Sequence, residues 1–121
     1  MKVYLSGAMT GRTKEEMEAW RTEFTKKWIG SVDNPFTRFG VDNPVVKDVQ
    51  ALVGCDALVL YHIGPSDGSA MELLYAYNEN IPTVVIDTTG LLSPWIVYHC
   101  DHVVNSIDEA IAYLDGIFKG E

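Results

Sequence analysis

The chain has 121 residues, 47% of them apolar and 21% charged, with a formal net charge of -8 at pH 7. That is enough for one domain with its own core, and it excludes intrinsic disorder. The acidic balance argues against a nucleic-acid polymer as partner, and no apolar run reaches the roughly 20 residues of a membrane span.

Lys2 to Ser6 reads as a first strand, and the turn at Ser6-Gly7 leaves it too short for a secretory leader. Thr13 to about Ile29 reads as a helix, because Met17, Trp20, Phe24 and Trp28 recur at three-to-four spacing. Thr13 is its expected cap, with Glu16 completing a capping box. The stretch Gly30 to Pro44 is rich in turns; a second strand is expected around Val32 and Asp33, then a loop placed to cover a site. Val45 to Val53 reads as a shorter helix. Asp56 to Tyr61 is the clearest strand, and Ser69 to Asn78 the helix after it. Pro82 to Ile86 and His102 to Val104 follow as strands. Ser106 caps a last helix running to about Phe118, with Glu109 completing the box.

Strands alternating with helices predict a single-domain α/β fold over residues 1–121, with a doubly wound, mostly parallel five-stranded sheet of the flavodoxin or Rossmann kind. In such sheets ligands bind beyond the carboxyl ends of the strands. That rule selects the loops after Leu5, Tyr61 and Ile86. Two cysteines, Cys55 and Cys100, are too few for a disulfide framework and are expected as reduced thiols in a cytoplasmic protein.

The first loop, Ser6 to Arg12, is a small-residue turn that lets backbone N–H groups approach an anion, with Thr10 or Arg12 adding a contact. It lacks the third glycine of a dinucleotide fingerprint, and a tight turn without a ligand fits it equally well. The second loop, His62 to Leu74, has Gly68, Ser69 and Ala70 for close approach and places Glu72 in the expected first turn of a helix. There the helix dipole favours an ionised carboxylate, as a covalent glycosyl enzyme needs. Ser69 and Glu72 also spell a capping box, and local pattern alone favours that reading. Asp48 lies near the expected ligand edge, and a solvated helix carboxylate is its plainer reading. Asp56 belongs to the opposite edge and reads as structural. His99, Cys100, Asp101 and His102 match no zinc spacing, so no metal is expected. Trp20 and Trp28 read as core, Trp95 as core or interface.

Together these segments resemble the nucleoside 2-deoxyribosyltransferase family, which includes 2'-deoxynucleoside 5'-monophosphate N-glycosidases. The likeness spans roughly residues 2 to 105. Tyr4-Leu5-Ser6-Gly7 resembles the family's opening Tyr-x-x-Gly loop. Asp48, eight residues before Asp56, sits where the family keeps a catalytic aspartate. Gly68-Ser69-Ala70-Met71-Glu72-Leu73 resembles the segment holding the nucleophilic glutamate, which sets the capping reading aside. Ser93, before Pro94-Trp95-Ile96, resembles the residue that completes a neighbouring subunit's pocket. The departures are Ala70 for the family's second glycine, Ala8 for a serine or proline, and the poorly matching Gly30 to Pro44.

The resemblance implies catalytic roles for Glu72 as nucleophile, for Asp48 in positioning the sugar and protonating the leaving base, and for Tyr4, whose hydroxyl would hold Glu72 in place. It implies substrate contacts from Ser6, Gly7, Ala8, Met9, Arg12, Ser66, Asp67, Gly68, Ser69, Met71 and Ser93. No metal or other cofactor is implied, and a homodimer or higher oligomer is. Six residues before the glutamate, the transferases carry an aspartate for the 5'-hydroxyl and the monophosphate hydrolases a serine for phosphate. Here that position is Ser66, with Asp67 beside it. The expectation is therefore a deoxynucleoside 5'-monophosphate as substrate. The alternatives are base exchange on free deoxynucleosides and, in another class, a non-catalytic nucleotide sensor or sponge.

Overall fold

In the computed structural model, which describes residues 1–119, strands β1 (Lys2–Gly7), β2 (Ser31–Asp33), β3 (Ala57–His62), β4 (Thr83–Asp87) and β5 (His102–Val104) alternate with helices. The helices are α1 (Lys14–Lys27), α2 (Pro44–Val53), α3 (Asp67–Asn78), α4 (Pro94–His99) and α5 (Ile107–Lys119), with a 3-10 turn at Pro35–Arg38. The sheet order is β2-β1-β3-β4-β5, and every neighbouring pair is parallel. The expected doubly wound sheet is present, and it is parallel throughout.

Alternation along the strands divides the core into two layers. Val3 and Leu5 of β1 and Val59 of β3 pack beneath Trp20 and Phe24 of α1 and Ala110 and Leu114 of α5. Tyr4, Leu58, Leu60 and Val85 point the other way, to Leu52 of α2, Leu73 and Ala76 of α3 and Ile96 of α4. Tyr4 and Ser6 therefore share the face that α3 covers, and both are fully buried. Away from the ligand edge, Asp56 accepts a hydrogen bond from the Lys2 amide at 2.7 Å, the structural role expected of it.

The termini of α1 follow local chemistry: Thr13 Oγ1 accepts from the Glu16 amide at 3.1 Å, and the box is complete. Two features differ from what the sequence leads one to expect. Helix α3 begins two residues earlier than expected, at Asp67, with Ser66 as its cap accepting from the Ser69 amide. Two serines three apart offer two caps, and the earlier one wins. Helix α4 was not expected; its six residues are too few to show a period, and Ser93 and Pro94 start it. Of the two alternatives left open for Trp95, its 78% exposure on α4 removes the core one. No helix among the described residues is long and apolar enough to cross a membrane.

Candidate active site

Strand order reverses direction between β1 and β3. The chain leaves β1 for α1 on one face and β3 for α3 on the other, which opens a crevice at their carboxyl ends. A cavity of about 550 Å³ lies there. Gly7 to Thr10 form one wall, Arg38 to Val41 another, and Ser66 to Ser69 a third, with Asp48 and Glu72 reaching it from α2 and α3. Its size is that of a small-molecule site. Gly7 is required by close approach: a Cβ there would stand 2.9 Å from Cζ2 of Trp20. Trp20 is itself fixed by stacking on Tyr61, with ring centroids 4.9 Å apart.

Glu72 is the sixth residue of α3, in its second turn, not in the first turn expected from a Ser69 cap. It lies beside the buried stripe of Ser69, Leu73 and Ala76, so its side chain turns toward the sheet and not back to the helix start. There the Tyr4 hydroxyl donates to Oε2, and the Ser6 hydroxyl donates to Oε1 at 2.8 Å. Burial pushes the Glu72 carboxyl above the usual range; the donations from Tyr4 and then Ser6 pull it down, the charge of Asp48 raises it, and Arg21 lowers it. Each oxygen retains a free lone pair.

The charge of Arg21 acts on this carboxylate, and Arg38 borders the same cavity. Arg21 is only 1% exposed. It donates to the carbonyls of Met17 at 2.7 Å and Gly7 at 3.3 Å and lies over the Trp20 ring. Burial lowers its pKa to about 10, against the opposing pull of Glu72 and Tyr4. Arg38 binds Asp48 Oδ1 through Nε at 2.7 Å and grips Asp33 with its two other nitrogens.

The structure thus gathers most of the residues singled out in the sequence. Tyr4 and Ser6 lie beneath Glu72 and are bonded to it; Ser6, expected to touch substrate, is instead fully buried behind the cavity wall with its hydroxyl committed to Glu72. Gly7, Ala8, Met9, Asp48, Ser66, Asp67, Gly68, Ser69 and Glu72 border the cavity. Three others neither border it nor bond to Glu72. Arg12 turns to Glu16 at 3.6 Å. Met71 is 71% exposed, on the side of α3 that faces α4. Ser93 caps α4, accepting from the Trp95 amide at 3.0 Å. It borders a second cavity of about 220 Å³, which shares Ala8, Ser66, Asp67 and Ser69 with the first. Arg38 was missed: it stands in the segment whose path local pattern does not define. Its only sequence signal is a lone cation between Phe36 and Phe39 in a turn-rich stretch.

No protein-family model matches the sequence, and no curated protein does. Solved structures do match. A 2-deoxyribosyltransferase from the psychrotolerant bacterium Bacillus psychrosaccharolyticus superposes with a TM-score of 0.77 at 15% identity, over 92% of this chain and 90% of that one. The chain has the 2-deoxyribosyltransferase fold. A conserved protein from Enterococcus faecalis V583 gives 0.73 at 16% identity, over 93% and 95% of the two chains. A CMP N-glycosidase of Clostridium botulinum gives 0.61 at 17% identity, over 95% and 98%.

Proposed function

We propose that the protein cleaves the N-glycosidic bond of 2'-deoxynucleoside 5'-monophosphates, with Glu72 as nucleophile. One observation carries this reading: a carboxylate on the buried side of a helix, bordering a nucleotide-sized cavity, with a hydroxyl donor on each oxygen. Its environment raises its pKa by burial, and a cap or a solvated side chain has no use for such a place. The named neighbours of the same fold, a deoxyribosyltransferase and a CMP N-glycosidase, agree in reaction type.

In the proposed reaction a Glu72 oxygen attacks C1' on the face opposite the base. The C1'–N bond breaks through an oxocarbenium-like transition state, its electron pair leaves with the base nitrogen, and that nitrogen takes up a proton. Water then attacks C1' of the glycosyl ester. It frees deoxyribose 5-phosphate, returns Glu72 as carboxylate and releases one proton. Tyr4 and Ser6 hold the carboxylate in place and disperse its charge between steps. Asp48 contacts the sugar. Ser66 and the first amides of α3, at the rim of both cavities, suit the 5'-phosphate. The test is base release: the protein incubated with each of the four deoxynucleoside monophosphates frees a base seen by chromatography. Free deoxynucleosides plus an acceptor base test the transfer alternative. Absence of free base or exchanged nucleoside from every substrate refutes the reading and leaves a nucleotide-binding protein.

We further propose that two copies associate through α3 and α4. Met71, Trp95 and Tyr98 stand there 71%, 78% and 71% exposed, an apolar surface a lone chain of this size has no reason to keep. Ser93, outside the Glu72 cavity of its own chain, would then serve the second copy. Sedimentation equilibrium is expected to give twice the chain mass, and Trp95→Glu to give the chain mass. A wild-type monomer at assay concentration would rule the dimer out.

A further inference from the structure

Arg38 is the only cationic side chain bordering the cavity among the described residues, yet it is not free to meet a ligand's phosphate. Nη1 and Nη2 donate to the two oxygens of Asp33 at 3.1 and 2.6 Å, and Nε donates to Asp48 Oδ1 at 2.7 Å. The three side chains are 20%, 13% and 16% exposed, so the network is largely shielded from water. Asp33 ends β2, and the two-point grip on it fixes the plane of the guanidinium. With that plane fixed, Nε–H has one direction, and it meets α2 at Asp48. The second oxygen of Asp48 has no hydrogen-bond partner among the described residues. Asp48 and Glu72 border the same cavity and repel each other there. Without a tether, an aspartate in that position swings its charge away from Glu72 and towards solvent.

The geometry points to Arg38 as a positioning residue: anchored on Asp33, it holds Asp48 so that Oδ2 accepts a hydrogen bond from a hydroxyl of the bound sugar. This rests on the glycosidic reading above. It assigns Arg38 neither to phosphate binding nor to contact with the reacting atoms. It also gives the poorly patterned segment between β2 and α2 a task, which is to carry one cation to the point where two carboxylates need it.

The test is a double-mutant cycle on the full-length protein, with kcat and KM measured on the deoxynucleoside monophosphate that is turned over fastest. Arg38→Gln is expected to lower kcat about a hundredfold, as a misplaced contact group does, with a smaller change in KM. Asp48→Asn is expected to lose a similar factor. The double variant should match Asp48→Asn within about twofold, because the two residues act as one unit. Arg38→Lys, which keeps a cation but not the fork, should recover part of kcat. Multiplying losses in the double variant, or an Arg38→Gln enzyme with wild-type kcat, overturns the role. Thermal unfolding of each variant is followed in parallel, and rates are compared below the lowest transition. If Arg38→Gln does not fold, Arg38→Lys and Asp33→Asn carry the same comparison. A wild-type protein that releases no base overturns the glycosidic reading and this role with it. Coupling between Arg38 and Asp48 in the unfolding midpoints would then still show whether the tether exists.

Discussion

Replacing Glu72 with glutamine is expected to leave the fold intact and to lower base release on the order of ten-thousandfold or more, the scale on which nucleophile removal acts. Glutamine has nearly the same shape, and its carbonyl oxygen still accepts from Tyr4 or Ser6, but it cannot form the glycosyl ester. The same variant carries a stability test whose sign follows from linkage. Burial raises the Glu72 carboxyl above its ordinary pKa of about 4.3, so the folded state holds the proton more tightly than the unfolded chain does. With respect to this group, wild-type stability is therefore greatest below the unfolded pKa. It declines as pH rises through that value to the raised folded one, and stays reduced above. Glutamine has no such dependence. The melting temperature of Glu72→Gln should equal or exceed that of wild type near pH 7, and its advantage should vanish in acid. A glutamine variant that is inactive and also clearly less stable at neutral pH would mean the carboxylate serves the fold.

The fold was legible because its signals are local and repeated. Apolar strands such as Leu58 to Leu60 and Val84 to Ile86 are covered on both faces, and the period of α1 is plain in Met17, Trp20 and Phe24. The placing of Tyr4 and Ser6 on one face follows from strand alternation alone. What Glu72 does with its side chain did not follow from local pattern; only the family resemblance implied that the Tyr4 hydroxyl holds it. Ser66 and Ser69 compete for the cap of α3, and the earlier start moves Glu72 from the first turn of the helix to the second, beside its buried stripe. Its ligation by two hydroxyls depends on β1, 66 and 68 residues away in sequence.

The segment before α2 was illegible for another reason. Asn34, Gly40 and Asn43 announce turns, the last two with φ of 86° and 51°. Turn residues say that the chain bends, not where Arg38 will point. Its two carboxylates lie five and ten residues off, on different elements, and only the packed α2 brings them together.

Tyr4→Phe gives the second large effect, and its pH dependence is the sharper test of how the nucleophile is tuned. Tyr4 lies among Leu58, Leu60 and Leu73 in the core, so phenylalanine fits without a cavity. Burial foremost, and then the charge of Glu72, push the phenol well above its ordinary pKa, so it remains a donor at every working pH. Its donation favours the ionised form of Glu72 and opposes burial. Removing it must let the carboxyl rise further. The acid limb of kcat/KM, which reports the ionisation of the free enzyme's nucleophile, should move to higher pH. The plateau should fall about ten- to a hundredfold, because one of the two groups that place the carboxylate is gone. Ser6→Ala removes the 2.8 Å donation to the other oxygen and should move the limb in the same direction by less. An acid limb that stays where it was in both variants would show that the group titrating in catalysis is not Glu72, and the nucleophile would have to be sought elsewhere in the cavity.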